Sequence, residues 1–127
     1  MLTDSKVFSG FAVDDLQKAN DFYSETLGLK TEVLDETNGL LSLHHPGDRD
    51  TLIYQKPDFV PATYTVLNFP VRDIDEAVDQ LAEKGVRFER YEGFDQDDKG
   101  IARGDDGPNI AWFKDPAGNI LSVLEQP

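Results

Sequence analysis

The chain contains no cysteine, which excludes disulfides, thiol nucleophiles and cysteine-ligated metals together. It is also poor in positive charge: 12 basic residues face 25 acidic ones, a net charge of −13. Nucleic-acid binding needs a cationic stripe, and none is present, so that partner is excluded. An acidic ligand would approach against the protein's field, whereas neutral and cationic ones would not. The same charge also serves simply to keep a protein soluble. No apolar run reaches membrane-spanning length, and residues 1–6 lack the apolar core of a signal peptide. The expectation is therefore a protein of the reducing cytoplasm with no membrane partner. Absent too are Gly-x-Ser-x-Gly, a phosphate loop and a dinucleotide fingerprint, which leaves hydrolase, nucleotidase and dehydrogenase readings without support.

What is present is a pattern written twice. Asp15-Leu16-x-x-Ala19 runs to Leu27-Gly28-Leu29, and half a chain later Asp73-Ile74-x-x-Ala77 runs to Gly85-Val86. Each copy follows an alternating apolar stretch and opens a helical pattern that a glycine ends. Strand, acidic cap, amphipathic helix and glycine stop, repeated within 127 residues, imply a duplicated module. The groove between two such copies is a natural place for a ligand.

Residues 6–13 read as a strand, with Val7, Phe11 and Val13 on one face and Phe8, Gly10 and Ala12 on the other. Asp14 or Asp15 caps the first helix, Gln17 is placed for a capping box with Asp14, and Leu16, Ala19, Tyr23 and Leu27 form the apolar stripe. Three short strands follow near 31–34, 40–44 and 51–55, separated by turn residues at 37–39 and 46–48. A proline-containing connector, 56–63, leads to the second module, about 64–126, as the first spans about 6–55. Its first strand, 64–71, holds Pro70, which suits an edge or unpaired position. Asp73 and Glu76 suggest a capping box, and Ile74, Ala77, Val78 and Leu81 give the helix stripe. A strand is expected at 86–90, and a closing hairpin at 109–114 and 119–125 around the turn Asp115-Pro116-Ala117-Gly118. Between them, 91–107 is long, irregular and acidic, with Glu92, Asp95, Asp97, Asp98, Asp105 and Asp106 against Lys99 and Arg103. Such loops are either functional lids or mobile surface. Asp95-x-Asp97-Asp98 lacks the glycine and terminal glutamate of a calcium loop and reads as a solvated acidic stretch.

Asp15-Leu16, Phe22-Tyr23, Leu27-Gly28-Leu29 and Asp115-Pro116-Ala117-Gly118-Asn119, in this order and with the internal repeat, resemble the vicinal oxygen chelate superfamily. That group includes glyoxalases, bleomycin-resistance proteins and extradiol dioxygenases. The resemblance covers nearly the whole chain as one domain. It implies an α+β fold of two tandem βαβββ modules, curved mixed sheets around a cup, and a homodimer. It also implies a divalent metal that acts as a Lewis acid on vicinal oxygens. The family's metal ligands, His or Gln, Glu, His and Glu, can be carried over by position. The first-strand ligand lies seven residues before the Asp of each module and falls on Phe8 and Val66. The last-strand glutamate falls on Ser122, and the fourth position on Ile53 or Tyr54.

None of these is a usual ligand, while a metal needs several convergent donors. Nor do nearby groups substitute. Glu125 points to the opposite face from Ser122, Asn68 is one amide, and the adjacent His44 and His45 point to opposite faces as a solvated strand end. No metal cofactor is expected. Phe8, Gly10, Tyr54, Val66, Asn68, Trp112 and Ser122 then become candidate ligand-binding residues, joined by Ala12, Ile120 and Leu124, with Gly10 leaving room. The same residues also fit a closed core, and the face taken by Trp112 is open. The reading is a metal-free protein that binds or sequesters a neutral or cationic, partly aromatic small molecule, as bleomycin-resistance proteins do. The alternatives are a glyoxalase- or dioxygenase-like enzyme with non-standard ligands, and a scaffold acting through protein contacts.

Overall fold

The structure is a computed structural model that describes residues 1–104 and 107–126; Asp105 and Asp106 of the acidic segment lie outside them. The chain divides into two compact units, Met1–Pro61 and Ala62–Pro127.

In the first unit, β1 (Ser9–Val13), α1 (Leu16–Asp21), β2 (Lys30–Asp35), β3 (Leu40–His45) and β4 (Arg49–Gln55) follow one another. Their sheet has the order β1-β4-β3-β2, with β1 parallel to β4 and the other pairs antiparallel. Asp15 is the N-cap of α1, and its carboxylate accepts from Lys18 N at 3.1 Å. Gln17 bonds Asp21 along the helix rather than completing a capping box. A second anchor comes from the strand beside β1: Leu16 N donates to Gln55 Oε1 at 2.8 Å, Gln55 being the register partner of Val13. The helix continues through a π-turn, Phe22–Thr26, and Gly28 at φ +71° ends it. Leu16, Ala19 and Tyr23 bury against a core of Phe11, Val13, Leu41, Leu43 and Ile53, while Leu27 is only half-buried. Phe8 precedes β1 and is 63% exposed.

In the second unit, β5 (Thr65–Val71), α2 (Ile74–Glu83), β6 (Ile110–Lys114) and β7 (Ile120–Glu125) form a three-stranded sheet, β5-β7-β6, with α2 packed on β7. β5 and β7 are parallel and β6 and β7 antiparallel. β5 is an edge strand, which accommodates Pro70 without losing a ladder bond. Asp73 caps α2 by accepting from Glu76 N at 3.1 Å. The expected box closes on one side only, because Glu76 binds Gln80 instead. As in the first unit, a last-strand side chain holds the helix start, with Ile74 N donating to Glu125 Oε2 at 3.1 Å. Ile74 and Val78 are buried with Ile101, Ala111, Phe113, Leu121 and Val123. The β6–β7 turn is tied by Asp115, whose Oδ1 accepts from Ala117 N and Asn119 N.

The strand expected at 86–90 is not a strand. Phe88 makes one isolated bridge to Phe113. Beyond it, Glu89 O and Tyr91 N bond the side chain of Gln96 rather than a neighbouring strand. Towards β6, Glu89 N still donates to Trp112 O at 2.8 Å. No helix among the described residues is long and apolar enough to cross a membrane.

Candidate ligand-binding face

Strand alternation sorts each sheet into two faces. In the second unit Leu67, Leu121 and Phe113 align across the strands, as do Phe69, Val123 and Ala111. Leu121, Phe113, Ala111 and Val123 are all nearly inaccessible, so these rows are core. The opposite face carries Asn68, Ser122 and Trp112 in one row, and Pro70, Leu124 and Ile110 in the next. Three predicted ligand residues are thus brought side by side, and the face of Trp112 is settled. Ser122 is fully buried and donates to Asn68 Oδ1 at 2.6 Å. Val66 is the extra residue of a β-bulge between Thr65 and Leu67.

Beside the second row lies an open trench of about 760 Å³, lined by Pro70, Leu124, Glu125, Gln126, Pro108 and Asn109. Its volume falls within the range of small-molecule sites. Glu125 is fixed at its edge, accepting from Ile74 N and from Asn109 Nδ2 at 3.0 Å.

Two residues that the sequence reading passed over complete the aromatic surface. Tyr91 meets Trp112 edge-on at 5.6 Å, and Phe94 approaches it at 4.8 Å with the rings tilted by 59°. Their signal in the sequence was two aromatics flanking Gly93 in an otherwise polar segment. That segment is not a free solvated stretch. Ile101 is completely buried. Asp97 Oδ1 accepts from Lys99 N and Ile101 N, and Asp97 Oδ2 pairs with Arg103. Lys99 and Arg103 reach Asp79 and Asp75 on α2. Contact with Arg103 holds the Asp75 carboxyl below its ordinary pKa, and Asp79 raises that of Lys99.

In the first unit Gly10 and Ala12 align with Leu52 and Tyr54 on one face. Gly10 does not leave room for a ligand there. A Cβ on it would stand 2.7 Å from Leu52 O, so glycine is required by the close approach of β4. Tyr54 is 38% exposed. On the same face His44 is more than a solvated strand end. Its Nδ1 faces Asp50 Oδ1 at 2.8 Å and its Nε2 faces Glu32 Oε1 at 3.1 Å. Hydrogen bonds to Asp50 and then Glu32 raise its pKa. His45 points the other way, to Thr51 Oγ1 at 2.9 Å, and burial lowers its pKa.

The positions that correspond to the superfamily's metal ligands do not fit a divalent ion. Phe8 and Val66 offer no donor atom, and Ile53 is a buried core residue. The Ser122 hydroxyl is committed to Asn68. Hard and borderline ions require several oxygen or nitrogen donors at one point. The chemistry this face offers is aromatic stacking, apolar burial and a few amide and hydroxyl contacts.

Comparison with known proteins agrees with this fold. The chain is 29% identical to a member of the glyoxalase/bleomycin resistance protein/dioxygenase superfamily from Sphaerobacter thermophilus, with 98% of this chain and 99% of that one covered and a TM-score of 0.75. TnmS3, an antibiotic binding protein from Streptomyces sp. CB03234, is 23% identical, with 98% of both chains covered and a TM-score of 0.71. A lactoylglutathione lyase from Agrobacterium tumefaciens is 22% identical, with 95% of this chain and 93% of that one covered and a TM-score of 0.68. No curated protein matches by sequence. The family model of the Glyoxalase/Bleomycin resistance protein/Dioxygenase superfamily matches residues 7–123, nearly the whole chain, and the chain belongs to that superfamily.

Proposed function

We propose that this protein binds a small, neutral or cationic, partly aromatic molecule and does not transform it. The observation that carries this reading is the aromatic cluster of Trp112, Tyr91 and Phe94 on the second unit; the same unit also has a trench of about 760 Å³, lined by other residues, Pro70, Leu124 and Asn109 among them. The superfamily's metal-ligand positions hold Phe8, Val66 and Ser122 instead of a donor set. A net charge of −13 favours a cation. Stacking on Trp112 adds about 1 kcal/mol beyond the area it buries, and a cation over the ring adds a similar amount, about 0.5–1 kcal/mol or more when desolvated. The likeness to an antibiotic binding protein is consistent with this reading.

The test is a thermal-shift screen of cationic aromatic compounds. Trp112 is the sole tryptophan, so quenching of its fluorescence reports occupancy directly. Hits that survive in Trp112→Ala place the site elsewhere, and Phe8→Ala asks whether the exposed aromatic of the first unit takes part. Binding weakens with added salt where charge contributes. Turnover of a glyoxalase-type thiohemiacetal or of a catechol would overturn the binding-only reading. We also propose that the protein is a cytoplasmic homodimer, since twofold dimers are the commonest assembly and Val7, Phe8, Val60 and Tyr64 are exposed. A monomer by light scattering at micromolar concentration overturns the dimer.

A further inference from the structure

The second unit carries a hydroxyl that its own fold leaves unsatisfied. Tyr91 Oη is buried, and among the described residues it has no hydrogen-bond partner. Buried polar atoms are nearly always paired, so an exception needs a reason. Two charged groups that act on it, Glu89 and Lys114, pair with each other at 3.5 Å instead. Burial, and then the negative charge of Glu89, raise the pKa of the hydroxyl. It therefore stays neutral, able to donate one hydrogen bond and accept another.

The surroundings indicate where a partner would come from. Tyr91 meets Trp112 edge-on, and Phe94 approaches the same indole at 4.8 Å. Phe94 is 54% exposed and stands at the tip of a short loop. The neck of that loop is fixed by Gln96, which accepts from Tyr91 N and donates to Glu89 O and Gly100 O. Among the described residues no side-chain hydrogen bond holds the tip, whose Phe94 rests on Trp112. Gly93 beside Phe94 has φ +89°, and no atom lies within 4 Å of where a Cβ would stand. A braced neck, an exposed ring on the indole and an unsatisfied hydroxyl on the tyrosine that meets the same indole are thus gathered in one short segment.

We propose that Trp112 and Tyr91 are the seat for a flat ring, that Phe94 fills this seat until a ligand displaces it, and that the Tyr91 hydroxyl selects ligands with a hydrogen-bonding group on the ring's edge. This rests on the ligand-binding reading above and adds the class of ligand and its selecting residue. A ring that replaces Phe94 keeps the stacking energy of Trp112, so the hydrogen bond to Tyr91 decides between otherwise similar ligands.

The experiment uses two dyes of equal charge and shape, 10-methylacridinium and its 3,6-diamino derivative, with Trp112 quenching as readout. Both bind the parent protein, the diamino dye more tightly. Tyr91→Phe weakens the diamino dye about five- to tenfold, the effect of one neutral hydrogen bond, and leaves the unsubstituted dye unchanged. The melting temperature of free Tyr91→Phe is equal to or above that of the parent, because the deleted hydroxyl had no partner. Phe94→Ala strengthens both dyes. An equal effect of Tyr91→Phe on both dyes, or no effect on either, overturns the selection role while ligand binding stands. A melting temperature lowered on the scale of a lost hydrogen bond also overturns it. Weaker binding of both dyes to Phe94→Ala overturns the part given to Phe94. If neither dye quenches Trp112 or raises the melting temperature, the ligand-binding reading and this inference fall together.

Discussion

The two units solve the same local problem in the same way and then diverge. In each, an aspartate caps the helix from its own turn, Asp15 for Lys18 N and Asp73 for Glu76 N, both at 3.1 Å. The last strand of each then reaches back to the first helical N–H, through Gln55 in one and Glu125 in the other. Even the next residue repeats, with Lys56 N bonding Val13 O and Gln126 N bonding Val71 O. Away from this joint the resemblance ends. The first unit completes a four-stranded sheet and places His44 between Asp50 and Glu32 on its face. The second gives up a strand for a loop braced by Gln96 and places aromatic rings there. The joint between helix and parallel strand pair is what the module needs to fold, and the remaining face is free to take different chemistry.

The largest expected effect concerns the braced loop. Ile101 is its one fully buried apolar side chain, and Ile101→Ala should destabilise by about 2–5 kcal/mol in denaturant melts. A cost below about 1 kcal/mol would mean the loop is not part of the second core. Its counterpart in the first unit is Gly10→Ala, where the new Cβ meets Leu52 O at 2.7 Å. Overpacking of this kind costs about 1–3 kcal/mol. A neutral result would show that β1 and β4 can separate freely.

Next comes the repeated joint. Glu125→Ala removes a charged acceptor bonded to both Ile74 N and Asn109 Nδ2, and should cost about 1.5–3 kcal/mol. Gln55→Ala removes one neutral bond and should cost about 0.5–1.5 kcal/mol. Equal losses in chemical denaturation would break the distinction between the two anchors. Below these, Asp15→Ala and Asp73→Ala should each cost about 1 kcal/mol. The more regular α2 is expected to retain more helix by circular dichroism after the change than α1, which passes into a π-turn.

The smallest effect is a pH dependence of opposite sign at adjacent histidines. His44 has its pKa raised from 6.5 by Asp50 and Glu32. Its stabilisation is complete below 6.5 and is lost as pH rises through the folded-state value. His45 has its pKa lowered from 6.5 by burial. It favours the fold in its neutral form, and that contribution is lost as pH falls below 6.5. His44→Gln should therefore flatten the decline in stability on the alkaline side, and His45→Gln the decline on the acidic side. NMR titration of the two imidazoles giving the same direction of shift would contradict the geometry.

Most of the frame was legible because it is periodic. The helix stripes led by Leu16 and Ile74, the two capping aspartates, the parallel edge strand with Pro70 and the Asp115–Asn119 turn each announce themselves through spacing and turn chemistry. What escaped was decided by single side chains at long range. Residues 86–90 have the composition of a strand, but they keep one bridge and the Glu89 N bond to β6, while Gln96 holds Glu89 O and the following Tyr91 N. Gly10 suggested empty space, and only the nearness of Leu52 O explains it. Of the candidate face, alternation placed Asn68 and Ser122, while the face of Trp112 stayed open in the sequence and follows from its pairing with Ser122. Tyr91 and Phe94 were not legible, since a loop has no period to reveal which way its rings turn. His44 was missed because its carboxylate partners stand on neighbouring strands.

Gln96 closes a short stretch of chain on itself. By tying Tyr91 N, Glu89 O and Gly100 O to one side chain, it turns the residues between 91 and 96 into a cassette with its own clasp. Residues 92–95 are all exposed, and of them Phe94 touches the sheet, through its ring contact with Trp112. Under the proposed function, rewriting these four positions changes the preference of the face while the clasp stays in place.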